Sequence, residues 1–166
     1  SLADMVTSGV APGFVMFKML LTNNYDSCVY LPYLGFIITL GACYRLANFN
    51  IDTRQSDSFI GLPTPANTLF IMSLPLVIVE CQFLALSEIL SSKWVLLIIT
   101  LFSAYVMNAE IPLFSLKIKN FSFAKYKLQI SFLVVSVLLL VFLQILAVPL
   151  IIVLYVLLSV LDNTFH

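Results

Sequence analysis

Side chains able to do chemistry are scarce in this 166-residue sequence, and they fall into three short stretches. Asp4 sits in S-L-A-D-M, at the head of an apolar run. Arg45, Asn48 and Asn50 lie in Y-R-L-A-N-F-N, which leads into Asp52, Arg54 and Asp57. Asn108 and Glu110 close another apolar run and lead into Lys117. Each stretch reads in two ways: a charge marking a helix end at an interface, or an ionisable group at membrane depth, which is a functional hypothesis by default. Other chemistries are excluded. The single histidine is the terminal His166, so no histidine triad or histidine-based metal site is available. Cys28, Cys43 and Cys81 are odd in number and far apart, which suggests neither a disulfide framework nor a zinc site.

The elements that position these groups are membrane helices. Hydrophobic residues make up 61% of the chain and charged residues 10%, with a mean hydropathy of +1.09. Soluble domains run at roughly 45–50% and about 25%, so an ordinary soluble domain and a disordered chain are both excluded. Eight basic residues against eight acidic ones leave no field to steer a polyanion, which excludes a nucleic-acid partner. A bilayer core of about 30 Å takes roughly 20 apolar residues in a helix. Four runs supply such spans: 5–25, interrupted only by Lys18, then 27–44, 58–79 and 94–109, the last continuing apolar to Phe114. Leu128 to Leu161 is a further 34 residues without a charge. One helix of that length would reach about 51 Å, so a break between Gln144 and Pro149 into two arms is expected. The fold expected is all-α, a polytopic transmembrane bundle of five or six helices forming one domain over 1–166.

The connections are Thr22–Ser27, Ala47–Leu62, Ser87–Ser92 and Ser115–Lys127. With Ser1 cytoplasmic, the cytoplasmic side holds Arg45, Arg54, Lys117, Lys119, Lys125 and Lys127, and the other side holds only Lys18 and Lys93. Six against two satisfies the positive-inside rule. All three polar stretches then share the cytoplasmic face, as a site open to the cytoplasm would require. Gly9 and Gly13 have the G-x-x-x-G spacing of close helix packing, with Pro12 able to bend the helix. Gly61-Leu62-Pro63-Thr64-Pro65-Ala66-Asn67 reads as a helix entry, because proline is tolerated in a first turn. Glu80 and Glu88 read as interfacial charges of the opposite face.

Four stretches carry a resemblance. S-L-A-D-M-V-T-S-G-V-A-P-G resembles the end of the CDP-alcohol phosphotransferase signature, Asp-x-x-Asp-Gly-x-x-Ala-Arg followed after eight residues by Gly-x-x-x-Asp-x-x-x-Asp, with Asp4 in place of its last aspartate. Arg45 to Asn50 is similar to the R-L-A-R-F-N of the phosphatidylserine synthase branch, with Asn48 for the second arginine. Gly61 to Asn67 resembles that branch's G-L-P-x-P-A-A, and Tyr105 to Lys117 its M-V-S-x-I-P-x-x-S-L-K, with Asn108 where serine is common. On this resemblance the chain lacks the N-terminal helices and most of the signature, the third aspartate standing just before Ser1. No signal peptide is visible.

The resemblance implies transfer of the phosphatidyl group from CDP-diacylglycerol to L-serine, giving phosphatidylserine and CMP. It implies Asp4 as general base and as a ligand of Mg²⁺ or Mn²⁺, and Arg45, Asn48 and Asn50 as substrate-binding residues. It also implies a homodimer, and an integral protein of the bacterial inner membrane with its site facing the cytoplasm. Sibling enzymes using glycerol phosphate or inositol phosphate are the near alternatives, and a transporter or structural membrane protein is the remote one. Anionic acceptors would want more basic residues than Arg45 and Arg54, which favours serine. One carboxylate seldom holds Mg²⁺, so the 166-residue chain by itself is expected to be inactive.

Overall fold

The computed structural model describes residues 2–23, 28–51, 59–80, 85–113 and 127–165. Asp52, Arg54, Asp57, Lys117, Lys119 and Lys125 lie outside the described residues. The first helical segment runs from α1 (Leu2–Met5) through a π-turn (Val6–Val10) into α2 (Ala11–Thr22). Pro12 explains the irregularity. It has no N–H to return to Ser8 one turn back, and the backbone widens there, with the Ala11 N–H donating to Val6 O. Neighbouring helices use the carbonyls of this turn: Thr68 Oγ1 donates to Ser8 O at 3.3 Å and Thr39 Oγ1 to Gly9 O at 2.9 Å.

A 3₁₀ stretch (Leu31–Phe36) leads into α3 (Ile37–Ile51), which packs antiparallel to the first segment. Small residues make the approach possible. A Cβ on Gly13 would overlap Thr39 Oγ1, one on Gly9 would lie 3.2 Å from Ala42 Cβ, and one on Gly35 would lie 2.6 Å from Phe17 N. The packing role expected of Gly9 and Gly13 is therefore what the structure has.

A two-residue strand, β1 (Phe59–Ile60), precedes α4 (Thr64–Glu80), which starts at the expected helix entry. Ser87–Ser92, expected as a connection, is instead mostly helical: α5 covers Ala85–Ser91, and only Ser92 is extended before α6 (Lys93–Asn108). Ala-Leu-Ser-Glu-Ile-Leu has no helix breaker, so the chain stays helical up to that point. β2 (Pro112–Leu113) follows and pairs antiparallel with β1, Phe59 opposite Leu113 and Ile60 opposite Pro112.

The closing apolar region is two helices, α7 (Lys127–Leu143) and α8 (Ala147–Phe165), joined by a 3₁₀ turn at Gln144–Leu146. The Phe132 and Tyr155 rings stand 5.7 Å apart. Twenty-three residues of straight helix would hold them about 34 Å apart, so the chain reverses. The reversal is made where Gln144 takes φ +48, and Pro149 falls in the first turn of α8, where its missing N–H does no harm.

The core joins α2, α3, α4 and α6 through Met16, Leu20, Ile38, Ala42, Ile71, Leu96 and Met107, all buried. The outside is apolar too, with Leu101, Phe102, Val141 and Phe142 each more than half exposed. Leu2–Thr22 is long and apolar enough to cross a membrane, the apolar stretch Gln129–Asn163 is the folded-back α7–α8 pair, and Thr64–Glu80 and Lys93–Asn108 are shorter apolar helices. The all-α expectation holds for the described residues, the two short strands serving only as a clamp.

Candidate functional site

Three of the four motif stretches meet at one end of the bundle. α6 ends at Asn108, and the last carbonyls of a helix have no partner within it and carry partial negative charge. Arg45, on α3, answers this: its Nη1 donates to Met107 O at 2.7 Å. Partial burial lowers the Arg45 pKa from its ordinary value, though a guanidinium keeps its charge in a protein.

Gly61 completes the seat. Its φ of +71 lies in the left-handed region, and a Cβ there would stand 2.6 Å from Met107 O, 2.8 Å from Ala109 O and 2.9 Å from Arg45 Nη1. Only glycine fits both the conformation and the space. The segment is fastened by two backbone bonds: Gly61 N–H donates to Ile111 O at 2.9 Å and Leu62 N–H to Val106 O at 3.1 Å. One turn earlier on α3, Gly41 O accepts a hydrogen bond at 3.1 Å from Asn108 Nδ2, which also donates to Ala104 O at 2.9 Å, tying the helix end to α3. Arg45, Gly61 and the end of α6 thus form one rigid corner.

Asp4 reaches the same end by register. Gly9 faces Ala42, Gly13 faces Thr39 and Phe17 faces Gly35. Extending that antiparallel register brings exposed Asp4 on α1 level with Ala47 and Asn48 of α3. Asn48 is exposed and three residues beyond Arg45, a spacing that shares a helix face. Asn50 belongs to the same helix, and its side chain lies outside the described residues. Glu110 is exposed just past α6.

Metal fits this end only in part. Among the described residues no three histidine, cysteine or carboxylate side chains gather as a metal site. Asp4 is one oxygen donor where Mg²⁺ takes six, so the described residues do not fit a metal by themselves.

Gly61 and the Met107 carbonyl are the parts of this corner that the sequence conceals. Gly61 reads as punctuation before a helix, and nothing in Gly-Leu-Pro tells which distant groups will crowd it. A second pair had a legible signal: Asn67 and Ser103 are polar residues inside apolar runs, and a buried amide must find a partner. Both are buried, and Ser103 Oγ donates to Asn67 Oδ1 at 2.5 Å.

The chain is similar to known proteins. It is 31% identical over 146 residues to a Helicobacter pylori protein named CDP-diacylglycerol–serine O-phosphatidyltransferase, the match covering 87% of this chain and 56% of that protein. The same-named protein of a second Helicobacter pylori strain is 32% identical over 146 residues, with the same coverage. A Bacillus subtilis protein of that name is 36% identical over 69 residues, 39% of this chain and 35% of that protein. The chain thus spans little more than half the length of its Helicobacter pylori relatives. No protein-family model and no solved structure matches it. The relationship to the phosphatidylserine synthase branch, drawn from four short stretches, is borne out over most of the chain.

Proposed function

Starting from this kinship with the phosphatidylserine synthases, we propose that the protein carrying this chain transfers the phosphatidyl group of CDP-diacylglycerol to the hydroxyl of L-serine. The observation that carries the reading is the corner of Arg45, Gly61 and the α6 end, where three separate motif stretches are held as one unit.

A serine hydroxyl is a weak nucleophile at neutral pH, so a carboxylate must take its proton as it attacks. Two carboxylates, Asp4 and Glu110, lie towards this end, and Asp4, level with Asn48 on the neighbouring helix, takes that role. The serine oxygen bonds to the phosphorus bearing diacylglycerol, the bond from that phosphorus to the bridging oxygen breaks, and CMP departs with the electron pair. Arg45 offers a planar fork to the serine carboxylate or to a lipid phosphate, and Asn48 and Asn50 supply hydrogen bonds to the polar substrate parts. Mg²⁺ or Mn²⁺ bound near Asp4 would neutralise phosphate charge, with most of its ligands supplied from outside the described residues.

The setting is a polytopic bundle in the bacterial inner membrane, assembled as a homodimer, with this corner facing the cytoplasm. Lys18 over the Phe14 ring at 6.0 Å and Lys93 beside Trp94 at 5.8 Å suit the opposite interface, where cationic and aromatic side chains anchor helices.

The test uses the full-length protein in liposomes with CDP-diacylglycerol and, separately, serine, glycerol phosphate and inositol phosphate. Serine-dependent CMP release is expected, and Asp4→Asn should lower turnover by roughly 10²–10⁴-fold, the usual worth of a positioned acid–base group, while lipid binding persists. CMP release with another acceptor and none with serine would overturn the reading.

A further inference from the structure

The first helical segment carries the only π-turn among the described residues, Val6–Val10, and it separates Asp4 from the buried part of the segment. On its C-terminal side, α2 is fixed in the core by Met16, Met19 and Leu20. On its N-terminal side, α1 is four residues long and Asp4 is exposed. A π-turn takes up one residue more than an α-turn, so every residue before it is set back by one helical position. One position is about 100° of rotation and about 1.5 Å of rise. Such turns are rare and lie mostly at functional sites.

Pro12 opens the turn, and two neighbouring helices hold it open. Thr39 of α3 donates from Oγ1 to Gly9 O at 2.9 Å. Thr68 of α4 shares its hydroxyl between Thr64 O at 2.9 Å and Ser8 O at 3.3 Å. Ser8 and Gly9 are buried, where a carbonyl without a partner is costly, so the two hydroxyls supply what the missing N–H of Pro12 cannot. The residues beyond the turn show the result. Met5 is partly buried, and its sulfur stands where a Cβ on Gly9 would also meet Ala42, so Met5 faces α3. Asp4, one position further, flanks that face and is level with Asn48. In an unbroken α-helix Val6 would take the place of Met5, and Met5 that of Asp4. Asp4 itself would then stand about 200° from the line that faces α3, two positions away.

We propose that Pro12, Thr39 and Thr68 are positioning residues, which together maintain the π-turn that aims the Asp4 carboxylate at the substrate hydroxyl. This rests on the base role proposed above for Asp4. A base takes a proton only across hydrogen-bond distance, and a misplacement of about 1 Å can cost about 100-fold in rate. A turn of one helical position moves a carboxylate further than that.

The experiment uses full-length protein in lipid nanodiscs, first on a cysteine-free background with two cysteine pairs, Met5→Cys with Leu46→Cys and Val6→Cys with Leu46→Cys. The register that sets Gly9 against Ala42 and Gly13 against Thr39 brings Leu46 level with this part of the segment. Oxidation should join the Met5 pair and leave the Val6 pair open, since Val6 is exposed. Pro12→Ala with Thr39→Val restores an N–H and removes the competing donor, and it should exchange the two yields. In the native sequence the same double substitution should lower kcat for CMP release by about 100-fold. The KM for serine and for CDP-diacylglycerol should stay unchanged, because the Arg45 corner is untouched. Its unfolding midpoint should not fall, since alanine is a far better helix former than proline. Should that variant not fold, Pro12→Ala with Thr68→Val makes the same comparison. Cross-links that do not exchange, or that exchange with kcat intact, overturn the inference. Absence of serine-dependent CMP release in the wild type would sink the transferase reading, while the cross-links would still judge the turn.

Discussion

Gly61→Ala is the most informative single change available at the Arg45 corner. The added methyl meets two separate penalties. An L-residue held in the left-handed region costs about 1–2 kcal/mol, and Gly61 sits there at φ +71. The new Cβ would also crowd Met107 O, Ala109 O and Arg45 Nη1, all within 2.9 Å. Two of these are backbone atoms at a helix end, which cannot swing aside as a flexible side chain would. Overpacking of that kind adds about 1–3 kcal/mol, so the expected loss is about 2–4 kcal/mol once partial relaxation is allowed. Relaxation has one easy direction, a parting of the Gly61–Leu62 segment from α6, which would draw Met107 O away from Arg45. Stability should therefore fall together with substrate affinity. The assay is detergent-induced unfolding of the full-length protein, alongside KM and kcat for CMP release. A double-mutant cycle with Arg45→Ala should show coupling above about 0.5 kcal/mol, as expected for touching residues. If Gly61→Ala unfolds at the wild-type midpoint with unchanged kinetics, the corner is not rigid and the reasoning is wrong.

Three further outcomes are expected. Arg45→Lys keeps the charge but loses the planar fork, so the KM for serine, or for CDP-diacylglycerol if Arg45 holds a lipid phosphate, should rise by about 10-fold or more, the worth of one charged hydrogen bond; unchanged constants would leave Arg45 as a helix-end anchor. Gly13→Ala places a methyl on Thr39 Oγ1 and should cost about 1–3 kcal/mol, partly restored by Thr39→Ala, as read by the same unfolding assay. On a cysteine-free background, Gln144→Cys should be labelled from outside intact cells and Asn120→Cys should not; the reverse pattern would invert the orientation.

Much of the helical frame is legible because charge is expensive in hydrocarbon: the charge-free run 94–109 and α6 (Lys93–Asn108) nearly coincide. The break at Gln144 is legible for a different reason, since the length of Leu128–Leu161 forbids a single crossing. Arg45 stands out as an arginine at the end of an apolar run. Its partner does not, because Met107 contributes a carbonyl that any residue at that position would have. The clamp of β1 on β2 is hidden for the same reason, being made of backbone groups between stretches more than fifty residues apart. α5 is missed because serines in Ser-Glu-Ile-Leu-Ser-Ser suggest a loop, whereas their helix propensity is only modestly unfavourable. Side-chain chemistry writes itself into a sequence, and main-chain acceptors do not.

The reversal at Gln144 has a consequence for parity. In the membrane bundle proposed above, α7 and α8 would cross as a pair, bringing the end of α8 back to the side on which α7 starts. The hairpin is therefore topologically silent: its loss or exchange would leave Asp4 and Arg45 on the same side as before. What it does contribute is a wall, since Val153 and Leu157 of α8 border a small apolar cavity against α4 and α6. The two jobs are separable. On that reading sidedness belongs to the segments before Lys127, and the hairpin is free to vary without changing it.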